Sequence, residues 1–163
     1  MQKKMEYKRD NAIREITKES ELEDVIKRAK VCYIGFLDDD KPYVLGFNYG
    51  YKNKTIYLHC AKQGKKLDII KKNNQVCMYF NVDNEIFARH ENVACSWRQR
   101  YRSVQAYGKA EIIDDYDRKL EGLKIFMQNY SEKKFTFNKP SVDNIYIIEI
   151  KLDKITGRKF EIL

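Results

Sequence analysis

The feature that most constrains the fold is a rapid succession of apolar runs of strand length between residues 31 and 82. Four such runs follow one another: "VCYIGFL" (31–37), "YVLGFNYGY" (43–51), "TIYLHCA" (55–61) and "QVCMYFNV" (75–82). They are rich in β-branched and aromatic residues, which favour strands. "DDDKP" and "KNK" separate the first three, and connections this short join antiparallel neighbours.

Helices are predicted at three places around these strands. Ser20 and Glu23 have the spacing of a capping box and precede a helical pattern of apolar residues, namely Leu22, Val25, Ile26 and Ala29. A short helix after Gly64 would have Leu67, Ile70 and Ile69 on its inner face. A third helix over 114–130 would have one apolar side, formed by Leu120, Leu123, Met127 and Tyr130.

Two further strands complete the expected fold. Residues 101–113 alternate like a long strand, and residues 144–157 predict a final strand, with "RKFEIL" pairing behind it. Residues 83–100 show no clear pattern and are expected to be irregular. The prediction is therefore a mainly β protein with α elements, a six- or seven-stranded antiparallel split β-barrel with peripheral helices. No linker or repeat divides the chain, so one domain over residues 1–163 is expected.

Composition excludes several classes of protein. No apolar run reaches the length of a membrane span, and the charged start "MQKKMEYKRD" does not resemble an export signal, so a cytoplasmic protein without membrane contact is expected. The formal net charge of +8 is scattered among acidic residues and accompanies no nucleic-acid-binding motif, so no nucleic-acid partner is expected.

The cysteines and histidines do not predict a metal site. Cys32, Cys60, Cys77 and Cys95 form no CxxC pair, and the first three lie in apolar runs where a reduced cysteine behaves as a small buried hydrophobe. His90 has no second ligand at metal-binding spacing. His59, in the strand before Gly64, could face a ligand as a hydrogen-bond or proton donor, or it could be a satisfied core histidine.

The stretch "GKKLDII" (64–70) contains the clearest candidate for an anion site. The free N–H groups and the positive dipole end of a helix N-terminus attract anions, and cations are disfavoured there when no anion is bound. Gly64 permits close approach of a ligand, and Lys65 and Lys66 would add full charges. On these residues alone, two solvated surface lysines remain an equally good interpretation.

Two other stretches are compatible with a bound ring. Gly46 and Gly50 in "YVLGFNYGY" would let a planar ligand approach the backbone, although a glycine at a bend of a barrel strand explains them equally well. "SWRQRYRSVQAYG" combines the only tryptophan with tyrosines and arginines, which could clamp an aromatic anion or form a dimer surface.

Taken together, these segments resemble the FMN-binding split-barrel superfamily, also called the pyridoxamine 5′-phosphate oxidase-like proteins, and in particular its nitroimidazole-resistance (Nim) branch. The matching segments occur in the expected order over nearly the whole chain: "KRDNAIREI", "KPYVLGFNYGY", "IYLHCAKQGKKLDII", "WRQRYRSVQAYGKAEII" and "ITGRK". The pattern His-x-Ala-x-x-Gly-x-Lys followed by Ser-Val-x-x-x-Gly is the most specific of them. The C-terminal pattern of true pyridoxamine phosphate oxidases is absent, which disfavours a vitamin B6 oxidase.

The resemblance implies a homodimer with two FMN sites at the subunit interface. By this resemblance the strand residues Leu45, Gly46, Phe47 and Asn48 would contact the isoalloxazine ring, largely through their backbone. His59, Cys60 and Ala61 would border the ring and the ribityl chain, and Gly64, Lys65 and Lys66 would hold the 5′-phosphate. The resemblance also implies a contribution from a second strand region, from one subunit or the other, by Trp97, Tyr101, Arg102 and Ser103.

The expected function is that of a flavin-dependent oxidoreductase that reduces a small acceptor such as a nitroaromatic compound, with His59 as a candidate proton source. Two alternatives remain open: a non-catalytic flavin-binding or storage protein, and a haem-binding split barrel with His59 or His90 as the axial ligand.

Overall fold

A computed structural model describes residues 13–160 and shows one antiparallel sheet of eight strands. The strands are β1 (Ile13–Ile16), β2 (Cys32–Asp38), β3 (Lys41–Phe47), β4 (Gly50–Lys52), β5 (Thr55–Ala61), β6 (Gln75–Ala88), β7 (Trp97–Ile113) and β8 (Ile145–Phe160). Their spatial order is β3-β2-β6-β7-β8-β5-β4, and β1 pairs with the end of β8. This order confirms the predicted mainly β, split-barrel fold.

The two ends of the sheet are brought together by the chain itself. β3 and β4 are the first and last strands in the spatial order, yet only Asn48 and Tyr49 separate them in sequence. Since consecutive Cα atoms are about 3.8 Å apart, Phe47 and Gly50 lie within about 11 Å of each other. The sheet must therefore curl into a barrel with a split between its terminal strands.

The interior of the barrel is filled by alternate residues of each strand. In β2 these are Cys32, Ile34 and Phe36, and in β5 they are Ile56, Leu58 and Cys60, all buried. This is the period-two pattern of strands that have one face in the core. A smaller apolar cluster lies where the helices cover the outer face of β5 and β8, and includes Ile113, Leu123, Val142 and Ile147.

Four α-helices surround the sheet: α1 (Glu19–Arg28), α2 (Lys65–Lys72), α3 (Tyr116–Gln128) and α4 (Lys139–Asp143). The prediction for α2 is confirmed, because Leu67, Ile69 and Ile70 are buried. The predicted capping box is wrong. Lys18 is the N-cap residue without a side-chain hydrogen bond, and Glu23 instead accepts hydrogen bonds from Lys27 and from the Tyr51 hydroxyl.

Several sequence-based boundaries are corrected by the structure. The run 43–51 divides into two strands at opposite ends of the sheet, and residues 13–16 add β1, so there are eight strands and not six or seven. Residues 83–100 are mostly strand, because β6 and β7 continue into one hairpin. "RKF" does not pair behind the last strand but continues β8 to Phe160; residues 161–163 lie outside the described part.

The inner face of α3 also differs from the prediction. Leu123 is buried as expected, but the other buried positions are Lys119, Gly122, Ile125 and Phe126, while Met127 is only half-buried. The close contact of Gly122 with Ile147 sets this rotation, since a Cβ atom on Gly122 would lie 3.0 Å from the Ile147 side chain. Cys77 is corrected likewise: Cys32 and Cys60 are buried, but Cys77 faces the outside of the sheet and is half-exposed.

Candidate functional site: the split between two open strand edges

The split of the barrel is bordered by two strand edges that have no strand partner among residues 13–160. β3 pairs only with β2, which leaves its other edge open. β4 covers the outer edge of β5 only from Thr55 to Tyr57, so the edge from Leu58 to Ala61 is also open. Open strand edges present backbone N–H and C=O groups, which a polar planar ligand can use.

The N-terminus of α2 lies at one end of this split. Lys65, the first residue of α2, forms an ion pair with Asp38 at the end of β2, with Nζ and Oδ2 2.7 Å apart. The same Nζ lies 5.0 Å from the centre of the Tyr43 ring on β3. Because α2 directly follows β5, these contacts join β3, β5 and α2 around one groove, which we call the split groove.

Lys66 occupies the most unusual electrostatic position in the split groove. Its Nζ lies 3.7 Å from the position that a Cβ atom on Gly64 would occupy, so the amine sits beside the N-cap of α2. The side chain is half-buried and has no ion-pair partner among the described residues. An ammonium group next to the positive end of a helix dipole is unfavourable unless an anion binds there.

The backbone around Gly64 supports the same interpretation. Gly64 has a φ of 137°, a conformation that residues with a side chain rarely adopt, so glycine is required at this turn. No side chain caps α2. The Leu67 N–H donates to the Gly64 carbonyl oxygen at 3.0 Å, which leaves the N–H groups of Lys65 and Lys66 at the start of the helix without an intrahelical acceptor. Gly64, Lys66 and these N–H groups together form a cradle with the chemistry that a phosphate group requires.

Lys65 is already neutralised in part. The Lys65 ammonium group lowers the pKa of the Asp38 carboxyl group, and this carboxylate raises the pKa of Lys65. Both side chains remain accessible to solvent, so the pair can open when a competing anion arrives. Of the two lysines, Lys66 is therefore the one whose charge is available, a difference that the sequence did not reveal. The contributions of Asp38 and Tyr43 were also missed, because only the fold brings them to α2.

His59 lies on the outward face of β5, beside the split groove. Its ring packs edge-on against Phe126 of α3, with the ring centres 4.5 Å apart. Partial burial lowers the pKa of His59, so its imidazole is neutral near pH 7. A neutral imidazole still offers one N–H donor and one acceptor, but it carries no spare proton to deliver at neutral pH.

The other predicted residues of β3 and β5 reach the split groove in different ways. Cys60 points into the barrel, and burial raises the pKa of its thiol, so it can meet a ligand only through its backbone. Ala61 and Gly46 are exposed, while the side chains of Leu45 and Phe47 pack against the core. Asn48 uses its side-chain amide to donate a hydrogen bond to the Lys30 carbonyl oxygen at 2.9 Å.

Gly50 does not let a planar ligand approach the backbone in the way that the sequence had suggested. A Cβ atom at this position would lie 2.6 Å from the backbone of Phe126, so Gly50 allows α3 to pack directly on β4. By contrast, a Cβ atom on Gly46 would make only ordinary contacts, at 3.6 Å from Tyr33 and Val31. Of the two glycines, only Gly46 could carry a side chain without displacing backbone atoms.

The second predicted strand region lies away from the split groove within one protomer. Tyr101 and Ser103 face the outside of β7 and line a cavity of about 540 Å³. Trp97 is more than half exposed, and its indole N–H donates a hydrogen bond to the Glu91 carbonyl oxygen at 3.2 Å. The structure therefore does not bring these side chains together with Lys65 and Lys66 in a single chain.

Arg102 is committed to a network of ion pairs. Its guanidinium group donates a hydrogen bond to Asp83 at 2.7 Å and lies 3.4 Å from Glu21 of α1. Glu21 also pairs with Lys159 of β8, and Asp83 with Arg28 of α1. These contacts hold α1 over the end of the barrel, so Arg102 has a structural role in the single protomer.

Beyond Val82 and before Tyr101, β6 and β7 pair only with each other among the described residues. We call residues 83–100 the arm. It exposes Ile86, Val93 and Trp97, which are 72%, 45% and 54% accessible. The outward face of the neighbouring strands also exposes apolar and aromatic side chains, namely Val31, Tyr33, Leu37, Val44, Tyr79 and Tyr107. Exposed apolar surface on this scale is typical of protein interfaces.

Comparisons with known proteins agree with this fold. The sequence profile described as pyridoxamine 5′-phosphate oxidase matches residues 18–159, so the chain belongs to this family of split-barrel proteins. The crystal structure of a candidate 5-nitroimidazole antibiotic resistance protein from Bacteroides thetaiotaomicron VPI-5482 is 31% identical in sequence, covers 91% of this chain and 89% of its own, and superposes with a TM-score of 0.80.

Two more distant structures share the fold. An FAD- and haem-binding protein from Mycobacterium smegmatis is 15% identical over 90% of this chain and 73% of its own, with a TM-score of 0.79. A flavocytochrome from Azotobacter vinelandii is 16% identical over 91% of this chain and 70% of its own, with a TM-score of 0.75. No curated protein sequence is significantly similar to this chain.

No helix within residues 13–160 is long and apolar enough to cross a membrane. No three His, Cys, Asp or Glu side chains of the same residues are grouped so that they could hold a metal ion.

Proposed function

We propose that the protein is an FMN-dependent oxidoreductase of the cytoplasm that reduces a small acceptor such as a 5-nitroimidazole. The observation that carries the proposal is the unpaired amine of Lys66 beside Gly64, at the end of a groove with two open strand edges. Membership of the pyridoxamine 5′-phosphate oxidase family and the likeness to a candidate 5-nitroimidazole resistance protein support it. When bound, FMN would supply the electron-transfer chemistry.

The residues of the chain then have distinct tasks. Lys66 and the first turn of α2 would bind the 5′-phosphate, and Lys65 would contribute once it leaves Asp38. The backbone of Leu45 to Asn48 would face the ring, with His59 and Ala61 along its side and the ribityl chain. His59, neutral at pH 7, would donate a ring N–H to the flavin or to the acceptor and orient it.

We also propose a homodimer in which the outward face of β2, β3 and β6 and the arm meet a second copy of the chain. The exposed apolar side chains on both regions support it. In a two-fold arrangement Trp97, Tyr101 and Ser103 of one protomer could approach the split groove of the other, which a single protomer does not allow. Sedimentation equilibrium should show a dimer that Val44→Glu combined with Tyr79→Arg converts to a monomer.

The test of the cofactor is a titration of purified protein with FMN, followed by visible absorption and thermal unfolding. A ligand at a hundred times its Kd stabilises the folded state by about 2.7 kcal/mol. Lys66→Gln should weaken FMN binding by roughly ten- to a hundredfold, because a hydrogen bond to a charged group contributes about 1.5–3 kcal/mol. Lys65→Gln should weaken it less, since Asp38 already neutralises this lysine.

Two controls identify the phosphate as the group recognised. Lys71→Gln removes an exposed charge from the other end of α2 and should leave FMN affinity unchanged. Riboflavin, which lacks the phosphate, should bind wild type and Lys66→Gln equally well. Undiminished FMN affinity in the double variant Lys65→Glu with Lys66→Glu would refute the phosphate assignment.

The remaining functions are separated by their spectra and turnover. FMN binding without reduction of nitroaromatic acceptors by nicotinamide donors would indicate a flavin-storage protein. A Soret band after addition of haem, with no flavin bound, would support a haem protein instead, as two structural relatives bind haem.

A further inference from the structure

A second cavity lies between α3 and the loop that follows it, and no part of the proposed flavin site uses it. We call it the loop pocket. It encloses about 540 Å³, within the range of roughly 300–1,000 Å³ that is typical of small-molecule sites. Lys124, Met127 and Gln128 of α3 form one wall, and residues 131–135 together with Phe137 form the other.

The apolar part of the lining is made of three flexible or aromatic side chains. Met127 is half-buried on α3, Phe137 packs against the cluster under the helix, and Phe135 is 41% exposed. Met and Phe contacts suit a flat aromatic ring, because rings stack on each other and sulfur packs favourably at ring edges. An exposed Phe135 at the mouth of a cavity is therefore available for such a contact.

The polar part of the lining is strongly basic. Lys124, Lys133 and Lys134 all line the loop pocket, against a single acidic residue, Glu132. The amines of these three lysines have no ion-pair partner anywhere in residues 13–160, although nine other lysines of that range pair with carboxylates, at positions 27, 52, 54, 62, 65, 72, 119, 139 and 159. The loop pocket thus combines aromatic walls with unneutralised positive charge.

We propose that the loop pocket binds a small aromatic carboxylate. The ring would lie against Met127, Phe135 and Phe137, and the carboxylate would face the amines of the lysines. The loop pocket is separate from the split groove. Phe126 contacts His59 on one side of α3, whereas Lys124 and Gln128 lie on the opposite side of the helix, and Met127 lies about 100° around the helix from Phe126. Binding here and binding of FMN should not compete.

The experiment uses 2-naphthoate as the probe and the full chain labelled with ¹³C at its methionine methyl groups. The chain has four methionines, of which Met127 lines the loop pocket and Met78 is completely buried inside the barrel. The expected result is a saturable shift of the Met127 signal with a sub-millimolar Kd, while Met78 does not move. The shift should be the same with and without added FMN.

Charge and aromatic recognition are tested separately. The neutral isostere 2-naphthamide should bind at least about tenfold more weakly than 2-naphthoate. Lys133→Gln with Lys134→Gln should weaken 2-naphthoate binding by about three- to tenfold. The matched control, Lys71→Gln with Lys154→Gln, removes the same charge elsewhere and should have no effect. Phe135→Ala should weaken binding by about tenfold.

The proposal is overturned if the Met127 signal does not respond to 2-naphthoate. Equal affinity for the carboxylate and the amide, or an unaltered affinity after removal of Lys133 and Lys134, would overturn it as well. Because these side chains are exposed, the variants should keep the wild-type Tm and the wild-type Met78 signal, which verifies that they are folded. None of these results depends on whether FMN binds in the split groove.

Discussion

Residues 41–47 and residues 48–52 are adjacent in sequence but are held in opposite ways. The first segment, β3, is bonded to β2 on one edge and leaves its other edge open. The second segment is enclosed: the Tyr49 hydroxyl shares its single proton between the Ile26 and Ala29 carbonyl oxygens, and Gly50 lies against the backbone of Phe126. One apolar run thus contributes both an open strand edge and a rigid anchor.

The difference shows how the split groove is kept open. The anchor is tied on both sides, since the Tyr130 hydroxyl accepts a hydrogen bond from the Tyr49 N–H at 2.8 Å and Asn129 donates one to the Tyr49 carbonyl oxygen at 2.9 Å. Because residues 48–52 are fixed to α1 and α3, β3 cannot shift towards β5 and pair with the free edge of β5. The open edge of β3 therefore depends on the closed packing of the next five residues.

The largest expected effect is that of Gly50→Ala. Its Cβ atom would lie 2.6 Å from two backbone atoms of Phe126, so α3 has to move away from β4. We expect a loss of about 3 kcal/mol, near the upper end of the cost of overpacking, and a fall in Tm of about 6–12 °C in thermal unfolding. The control is Gly35→Ala in β2, where a Cβ atom meets only ordinary contacts, at 3.6 Å or more. Equal stability of the two variants would contradict the anchoring role of Gly50.

Tyr49→Phe should have the second largest effect. The tyrosine is fully buried, and its hydroxyl is the hydrogen-bond donor to the carbonyl oxygens of Ile26 and Ala29 at the end of α1. Removing the hydroxyl takes away the one O–H donor that the two oxygens share, at a cost of about 1–3 kcal/mol. Urea unfolding measures the loss. The exposed Tyr33→Phe on the outer face of β2 should change stability by less than about 0.5 kcal/mol.

A smaller effect is expected in the pH dependence of stability near the open segment. Burial lowers the pKa of His59 below its ordinary value of 6.5, so the unfolded chain takes up this proton more readily than the folded protein. The contribution of His59 is fully present above about pH 6.5 and is lost as the pH falls from there towards the lower pKa of the folded state.

His59→Gln should remove this component. Urea unfolding from about pH 7.5 to about pH 5 should give a shallower decline for His59→Gln than for the wild type, and His90→Gln should retain the wild-type contribution of His59. Parallel curves for wild type and His59→Gln would show that Phe126 does not desolvate the ring in solution.

The smallest expected effect is that of Gly46→Ala in the open segment. The added methyl group would lie 3.6 Å from Tyr33 and Val31, an ordinary contact distance, and Gly46 is not among the residues with a positive φ. We expect the free energy of unfolding to change by no more than about 0.5 kcal/mol. A loss comparable to that of Gly50→Ala would mean that both segments are closely packed.

Much of the fold could be predicted because the local patterns are strong. The period-two alternation of β2 and β5, the short turns between strands, and the inner face of α2 are all properties of neighbouring residues. Residues 83–100 were misread, because their strands alternate weakly and expose Ile86 and Trp97, which a core-facing pattern would not predict. The capping-box prediction was wrong because the Glu23 carboxylate accepts hydrogen bonds from two other residues. Tyr51 is distant in sequence, and Lys27 lies one turn later in α1.

The candidate site divides in the same way. By itself the sequence determined that a glycine and two lysines stand at the N-terminus of a helix that follows a strand. This could be predicted because the start of a helix, a turn at a glycine and the charge of a side chain all depend on neighbouring residues. Only the tertiary structure decided that Asp38 neutralises Lys65 while Lys66 remains unpaired, that Gly50 serves α3 and not a ligand, and that Arg102 holds α1. These outcomes depend on residues far apart in the chain, and their distances are set by how the sheet curls and where the helices pack.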